Sequence, residues 1–141
     1  MFRAAGERRG EGMALLSLAD CERSTGGFDA ALDHCRAATA VFTGISDTWT
    51  IAWAGCSTGA VLNAVGRHAD ALAHYRSALG VFRDFGDHDS ESVALTGIGE
   101  AYTGLGDPDQ ARSHLNAALD ILVSVDDPRT GEVEALLARV P

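Results

Sequence analysis

His34, His74 and His114 recur at intervals of forty residues. Imidazoles bind metals and move protons near neutral pH, so such a series is the first place to look for chemistry. A metal ladder fails on geometry. Equivalent positions in neighbouring repeats stand about one helix-pair width apart, too far to share an ion with bonds of about 2.0–2.1 Å. Only the first histidine is flanked by further ligand types, Asp33 and Cys35. His68 stands outside the series, because the same shift aligns it with Phe28 and Pro108. The expectation is packing or surface histidine, no metal site and no cofactor, with a pH-sensitive role left open.

Other chemistry is sparse. Serine, histidine and aspartate all occur, but no nucleophile elbow and no zincin motif is read. No GxxxxGK[ST] or GxGxxG phosphate loop occurs. The paired acids Asp126 and Asp127 fit helix capping. The three cysteines, Cys21, Cys35 and Cys56, are odd in number and lack CxxC spacing, so reduced and mostly buried thiols are expected. The chain is not expected to be an enzyme.

Composition narrows the partners. At 141 residues the chain is long enough for one domain with a sizeable core, and 46% apolar with 22% charged residues is ordinary for a globular protein. The net charge is −9, and all eleven basic residues are arginine. The only dense basic cluster is Arg3, Arg8 and Arg9, which is too little to displace counterions from a duplex. Direct nucleic-acid binding is excluded on that ground, and apolar or cationic partners suit the charge better. No apolar run approaches the roughly 18 residues of a membrane span. The opening MFRAAGERRGEG has no apolar stretch of a secretory signal, so a cytoplasmic protein is expected.

The elements that must position any site follow from periodicity. Shifted by forty residues, the chain aligns with itself without a gap. Gly26, Gly66 and Gly106 align, as do Ala31, Ala71 and Ala111, Ala38, Ala78 and Ala118, and Asp47, Asp87 and Asp127. Each unit reads as two helices. The first spans about 11–25, 50–65 and 89–105, the second about 28–44, 68–84 and 108–124. Ala71, Leu72, Tyr75, Ala78, Leu79 and Phe82 form an amphipathic stripe. Gly66 and Gly106 sit where a helix ends in left-handed backbone. Asp107-Pro108 and Asp127-Pro128 place a cap before a proline, while Thr50, Ser90 and Thr130 are rival caps for the first helices. Ala19, Gly59 and Gly99 are small where the two helices of a pair must approach closely. No strand pattern is longer than three residues.

Ile98-Gly99, Tyr102, Gly106, Ala111, Leu115 and Ala118 carry a resemblance to the tetratricopeptide (TPR) repeat. Thr58-Gly59, Leu62, Gly66, Ala71, Tyr75 and Ala78 repeat the pattern, and Leu18-Ala19, Glu22, Gly26, Ala31, Cys35 and Ala38 do so more weakly. The usual period of this family is shorter and its terminal proline is missing here. AGERRGEGMALLSL and GRHADALAHYRSALGVFRDFGD resemble the long C-terminal repeats of actinobacterial SARP-type and nucleotide-switch regulators. The resemblance implies an all-α, right-handed superhelical solenoid of three helix-turn-helix repeats, about 7–46, 47–86 and 87–126, with a capping helix at about 128–139. Residues 1–5 are expected to be the tail of another second-type helix, because Phe2 aligns with Phe42 and Phe82. The segment is expected to be part of a larger protein.

By similarity, the first helices line a concave groove. Its expected binding residues are Met13, Asp20, Arg23, Trp53, Asn63, Glu100 and Thr103. Trp53 either anchors a ligand or fills space beside small Gly55. The family's carboxylate clamp is missing, and an apolar floor with Asp20 and Glu100 suits a helix or extended segment carrying positive charge. The expected function is a non-catalytic interaction or sensor module of a bacterial transcriptional regulator. It would hold a protein, a peptide or another domain of its own polypeptide, with no membrane or nucleic acid. The rivals are a small-molecule or signal-peptide sensor using the same groove, and a homo-oligomerisation module with sticky leucines at Leu15, Leu16 and Leu18.

Overall fold

A computed structural model describes residues 2–141, with side chains from residue 4 onward. Seven helices make up the fold: α1 Phe2–Ser24, α2 Phe28–Gly44, α3 Thr48–Ala64, α4 His68–Phe85, α5 His88–Leu105, α6 Pro108–Ser124 and α7 Thr130–Arg139. Among the described residues there is no strand. The chain is an all-α helical repeat solenoid.

The turns repeat as the glycines demand. Gly26, Gly66 and Gly106 take φ of +87°, +83° and +78°, and close the first helix of each pair. Glycine adopts this left-handed backbone without a Cβ penalty. The second helices end in the same conformation at Ser46, Gly86 and Asp126, again forty residues apart. Asp47, Asp87 and Asp107 then cap α3, α5 and α6 by accepting from the backbone N–H of Thr50, Ser90 and Gln110. Thr50 and Ser90 are therefore not the caps. They stand inside the first turn and return their hydroxyls to Asp47 and Asp87. Asp127 accepts from Arg129 N instead, so Pro128 lies in a turn and α7 starts at Thr130.

One boundary departs from expectation. The first helix does not begin near residue 11, because α1 runs unbroken from Phe2. Glu7 stands where the later units have Asp47 and Asp87. The longer carboxylate is a weaker N-cap than aspartate, so nothing stops the helix there. The match of the Phe2 ring to Phe42 and Phe82 lies outside the described residues.

The helices pack as consecutive antiparallel pairs, α1 with α2, α3 with α4 and α5 with α6, and α7 closes against α6. Across pairs α1 touches α3 and α3 touches α5, while successive second helices have no comparable interface. The array therefore curves with its first helices inside. Small residues set the approach within each pair. A Cβ on Gly59 would fall 2.6 Å from the Tyr75 ring, and one on Gly99 would fall 2.5 Å from Leu115. Ala31, Ala38, Ala71, Ala78, Ala111 and Ala118 are all buried at the helix contacts. Two apolar clusters form the core. One is built on Leu16, Cys35, Phe42 and Val61, the other on Tyr75, Phe82, Ile98 and Leu115.

Candidate functional site

Three adjoining cavities run along the inner face and share one residue, Glu100 of α5. They measure about 170, 240 and 260 Å³. The middle one is lined by Arg23 of α1, Asn63 of α3, His68 and Tyr75 of α4, and Glu100. Towards the C-terminus it meets a cavity with Thr103, Leu115, Leu136 and Arg139, and another with Val93, Glu132 and Val133. First-type helices and α7 thus supply most of the lining.

The polar groups here are held but not all satisfied. Asn63 donates from Nδ2 to the Gly97 carbonyl at 3.1 Å, and its Oδ1 lies 2.9 Å from His68 Nδ1. Those two bonds fix the His68 ring, which occupies the space left by Gly104 of α5. The Arg23 guanidinium lies 3.8 Å from Asp20, while its Nε is buried without an acceptor. Glu100 makes no hydrogen bond or ion pair among the described residues. Although Glu100 is exposed, the protein crowded around it in the groove pushes its carboxyl upward, Glu132 adds to this, and Arg23 offsets part of it. Burial likewise pushes the Tyr75 phenol up.

Of the seven expected groove residues, the fold brings Arg23, Asn63, Glu100 and Thr103 together, with Asp20 beside Arg23. Met13 lies farther along α1, 38% exposed, and lines none of the three cavities. Trp53 lines none of them either. Its indole stacks on Trp49, with centroids 5.7 Å apart and planes 4° from parallel, and meets the edge of Phe82 at 6.3 Å. Trp49 is fixed in turn by its Nε1–H, which donates to Asp87 at 2.8 Å. Trp53 therefore spends its ring on packing between the two core clusters. His68, Tyr75, Glu132 and Arg139 were not foreseen. For His68 and Tyr75 the signals are the glycines that make room, Gly104 opposite His68 and Gly59 and Gly97 opposite Tyr75.

The histidine series has no common environment. His34 bonds Glu22, His74 is exposed on the outer face, and His114 stacks on Tyr102 with centroids 5.4 Å apart. Among the described residues no three His, Cys, Asp or Glu side chains gather to hold a metal. Cys35 and Cys56 are buried and Cys21 is exposed. Burial pushes the Cys35 thiol up and takes that of Cys56 to about 12. One serine motif does occur, contrary to expectation: Gly55-Cys56-Ser57-Thr58-Gly59 has the G-x-S-x-G spacing. It lies in the middle of α3, with no strand before it and Ser57 buried. The nucleophile elbow needs a strand-to-helix turn that exposes the serine, and this chain supplies none there.

A larger cavity of about 420 Å³ opens on the outer side, between α2 and α4. It is lined by Leu32, Arg36, Thr39, Leu62, Arg67, Asp70 and His74. Arg67 is already paired there with Asp70 at 2.7 Å. No helix among the described residues is long and apolar enough to cross a membrane.

Residues 50–122, just over half of the chain, match the profile of the tetratricopeptide repeat. No curated protein matches the chain in sequence. Solved structures that share the fold include a TPR-like protein from Chlorobium tepidum, with a TM-score of 0.79 over 96% of each chain and 18% sequence identity. At that identity the likeness carries the fold alone.

Proposed function

The chain belongs to the tetratricopeptide repeat family, and from that premise we propose that it is a non-catalytic module that holds a protein or peptide segment in its inner groove. The observation that carries this is the meeting of three cavities at Glu100, an exposed carboxylate with no partner among the described residues. The fitting segment is extended or helical and carries a cationic side chain for Glu100. The apolar patches beside it, Val93 and Val133 on one side and Leu115 and Leu136 on the other, would take its apolar side chains. Each cavity is smaller than the roughly 300–1,000 Å³ of small-molecule pockets, which favours a segment threaded across all three.

The likeness of AGERRGEGMALLSL and GRHADALAHYRSALGVFRDFGD to regulator repeats supports a finer reading. In it the module works in the cytoplasm as the sensing or interaction arm of a bacterial transcriptional regulator. The test is photocrosslinking in the native host, with a photoreactive residue at Thr103 in the groove or at Asp120 on the exposed side of α6. One discrete protein adduct from position 103 and none from 120 is the expected result. Adducts from 120 alone would place the partner on the outer face and overturn the proposal.

A further inference from the structure

The forty-residue register sets one position of the first helices beside the repeated histidine of the second. Glu22, Leu62 and Tyr102 align, as do His34, His74 and His114. In two of the three units the pair meets. Glu22 bonds His34, and the Tyr102 ring stacks on His114 with centroids 5.4 Å apart and planes 28° from parallel. Arg76 of α4 stands over the same ring, 5.7 Å from its centroid, and donates to its hydroxyl. A phenol ring thus bridges α4 and α6, held by an arginine and a histidine. The middle unit has no such ring. Leu62 takes the place of Tyr102 and is buried, and exposed His74 makes no hydrogen bond or ion pair among the described residues. Arg36 of α2 stands in the place of Arg76.

The outer cavity of about 420 Å³ lies where that ring is missing, lined by Arg36, Leu62 and His74. Its size falls within the roughly 300–1,000 Å³ of small-molecule pockets. Arg67 lines it as well, where the filled cleft has Asp107. Cations therefore outnumber Asp70 in this cavity, although the chain carries a net charge of −9. Arg36 pairs with Asp33 at 3.2 Å and Arg67 with Asp70 at 2.7 Å, and all four side chains are more than half exposed. Such surface pairs are weak, so a ligand anion can share the guanidiniums at little cost. We propose that this cavity binds a small planar aromatic carboxylate. Its ring lies against His74 and Arg36, as Tyr102 lies against His114 and Arg76, and its carboxylate pairs with Arg67. An adjoining cavity of about 200 Å³ shares Thr39, Thr58 and His74, and offers Ile51, Ala78 and Val81 to a second ring. The template is internal to the fold, and the site is separate from the inner groove.

The probe is 2-naphthoate, titrated into the isotope-labelled full chain and followed by the NMR signals of the backbone amides and the histidine rings. The control is its fully saturated analogue, which keeps the charge and the bulk but has no aromatic face. Saturable shifts centred on α2, Thr58–Leu62 and the first half of α4 are expected, with the saturated acid binding at least fivefold more weakly. His74→Ala and Arg67→Ala, both at exposed positions, should each weaken 2-naphthoate at least fivefold. Leu62→Tyr should rebuild the ring of the next cleft, move the His74 ring signals and abolish binding. If that core variant does not fold, the two surface variants decide. Absence of saturable shifts, shifts centred on the inner groove around Glu100, equal affinity for the two acids, or full affinity in both surface variants would overturn the proposal.

Discussion

The Tyr75 ring of α4 lies against the bare backbone of Gly97 in α5, so closely that a Cβ there would fall within the ring. Gly59 of α3 leaves the matching space on the other side, where a Cβ would come 2.6 Å from the ring. One aromatic side chain therefore sets the spacing of α3, α4 and α5 and forms part of the groove wall. Gly97→Ala should destabilise the chain by about 1–3 kcal/mol through overpacking, despite alanine's better helix propensity. Gly80→Ala is the control. It lies on the exposed side of α4 with nothing within 4 Å of a new Cβ, and should stabilise by about 0.5–1 kcal/mol. Thermal melts of the two variants should shift in opposite directions.

Ala71 is 0% exposed at the close contact of α4. Ala71→Leu must push that helix off its neighbours and should cost about 1–3 kcal/mol. An unchanged urea midpoint would show that α4 can rotate the residue outward.

Asp87 ties three elements together. Its carboxylate accepts from Ser90 N at 3.1 Å, Ser90 Oγ at 2.7 Å and Trp49 Nε1 at 2.8 Å. Desolvation pulls its carboxyl upward, but these bonds outweigh it and hold it below the usual carboxylate range. Asp47 is likewise held low against desolvation, by Thr50 and Arg9. Asp127 is brought to about 2, chiefly by its bonds from Arg129. Groups with depressed folded pKa values stabilise fully above the unfolded value of about 3.9 and lose that contribution as pH falls through the folded one. Stability should therefore drop between about pH 4 and pH 2. Asp87→Ala should cost about 2 kcal/mol at pH 7 through the lost cap, and should flatten the acid limb of the curve.

Glu100 runs the other way. Its folded pKa is raised, first by desolvation and then by Glu132. Ionisation therefore opposes folding at neutral pH, and this penalty vanishes once the carboxyl is protonated in both states. Glu100→Gln should raise the melting temperature at pH 7 and change nothing below about pH 4. A variant less stable at pH 7 would mean that Glu100 has a structural partner.

Much of this was legible in the sequence. The forty-residue shift placed the helix pairs, because buried alanines and left-handed glycines leave a strong periodic mark. Gly26, Gly66 and Gly106 all take positive φ. The second set of turns was harder to see, because Ser46, Gly86 and Asp126 share a backbone conformation but not a residue type. The run-on of α1 was missed because Glu7 looks like an aspartate to a charge pattern yet caps less well. Trp53 was ambiguous in kind. A large aromatic beside a small residue reads alike whether it anchors a ligand or stacks on Trp49, and only the tertiary position of Trp49 decides. The α7 side of the groove, with Glu132 and Arg139, depends on how the last helix docks, which no repeat spacing encodes.

Groove charge against outer-face charge is the most direct test of the function. The protein crosslinked through Thr103 should be titrated with the wild-type chain, Glu100→Arg and Asp120→Arg. A reversed charge facing a partner's cation should weaken binding at least tenfold, or about 1.4 kcal/mol, with helix content unchanged. Asp120→Arg should bind as wild type. Full affinity in Glu100→Arg, or a loss confined to Asp120→Arg, would contradict the assignment of the inner groove as the binding site.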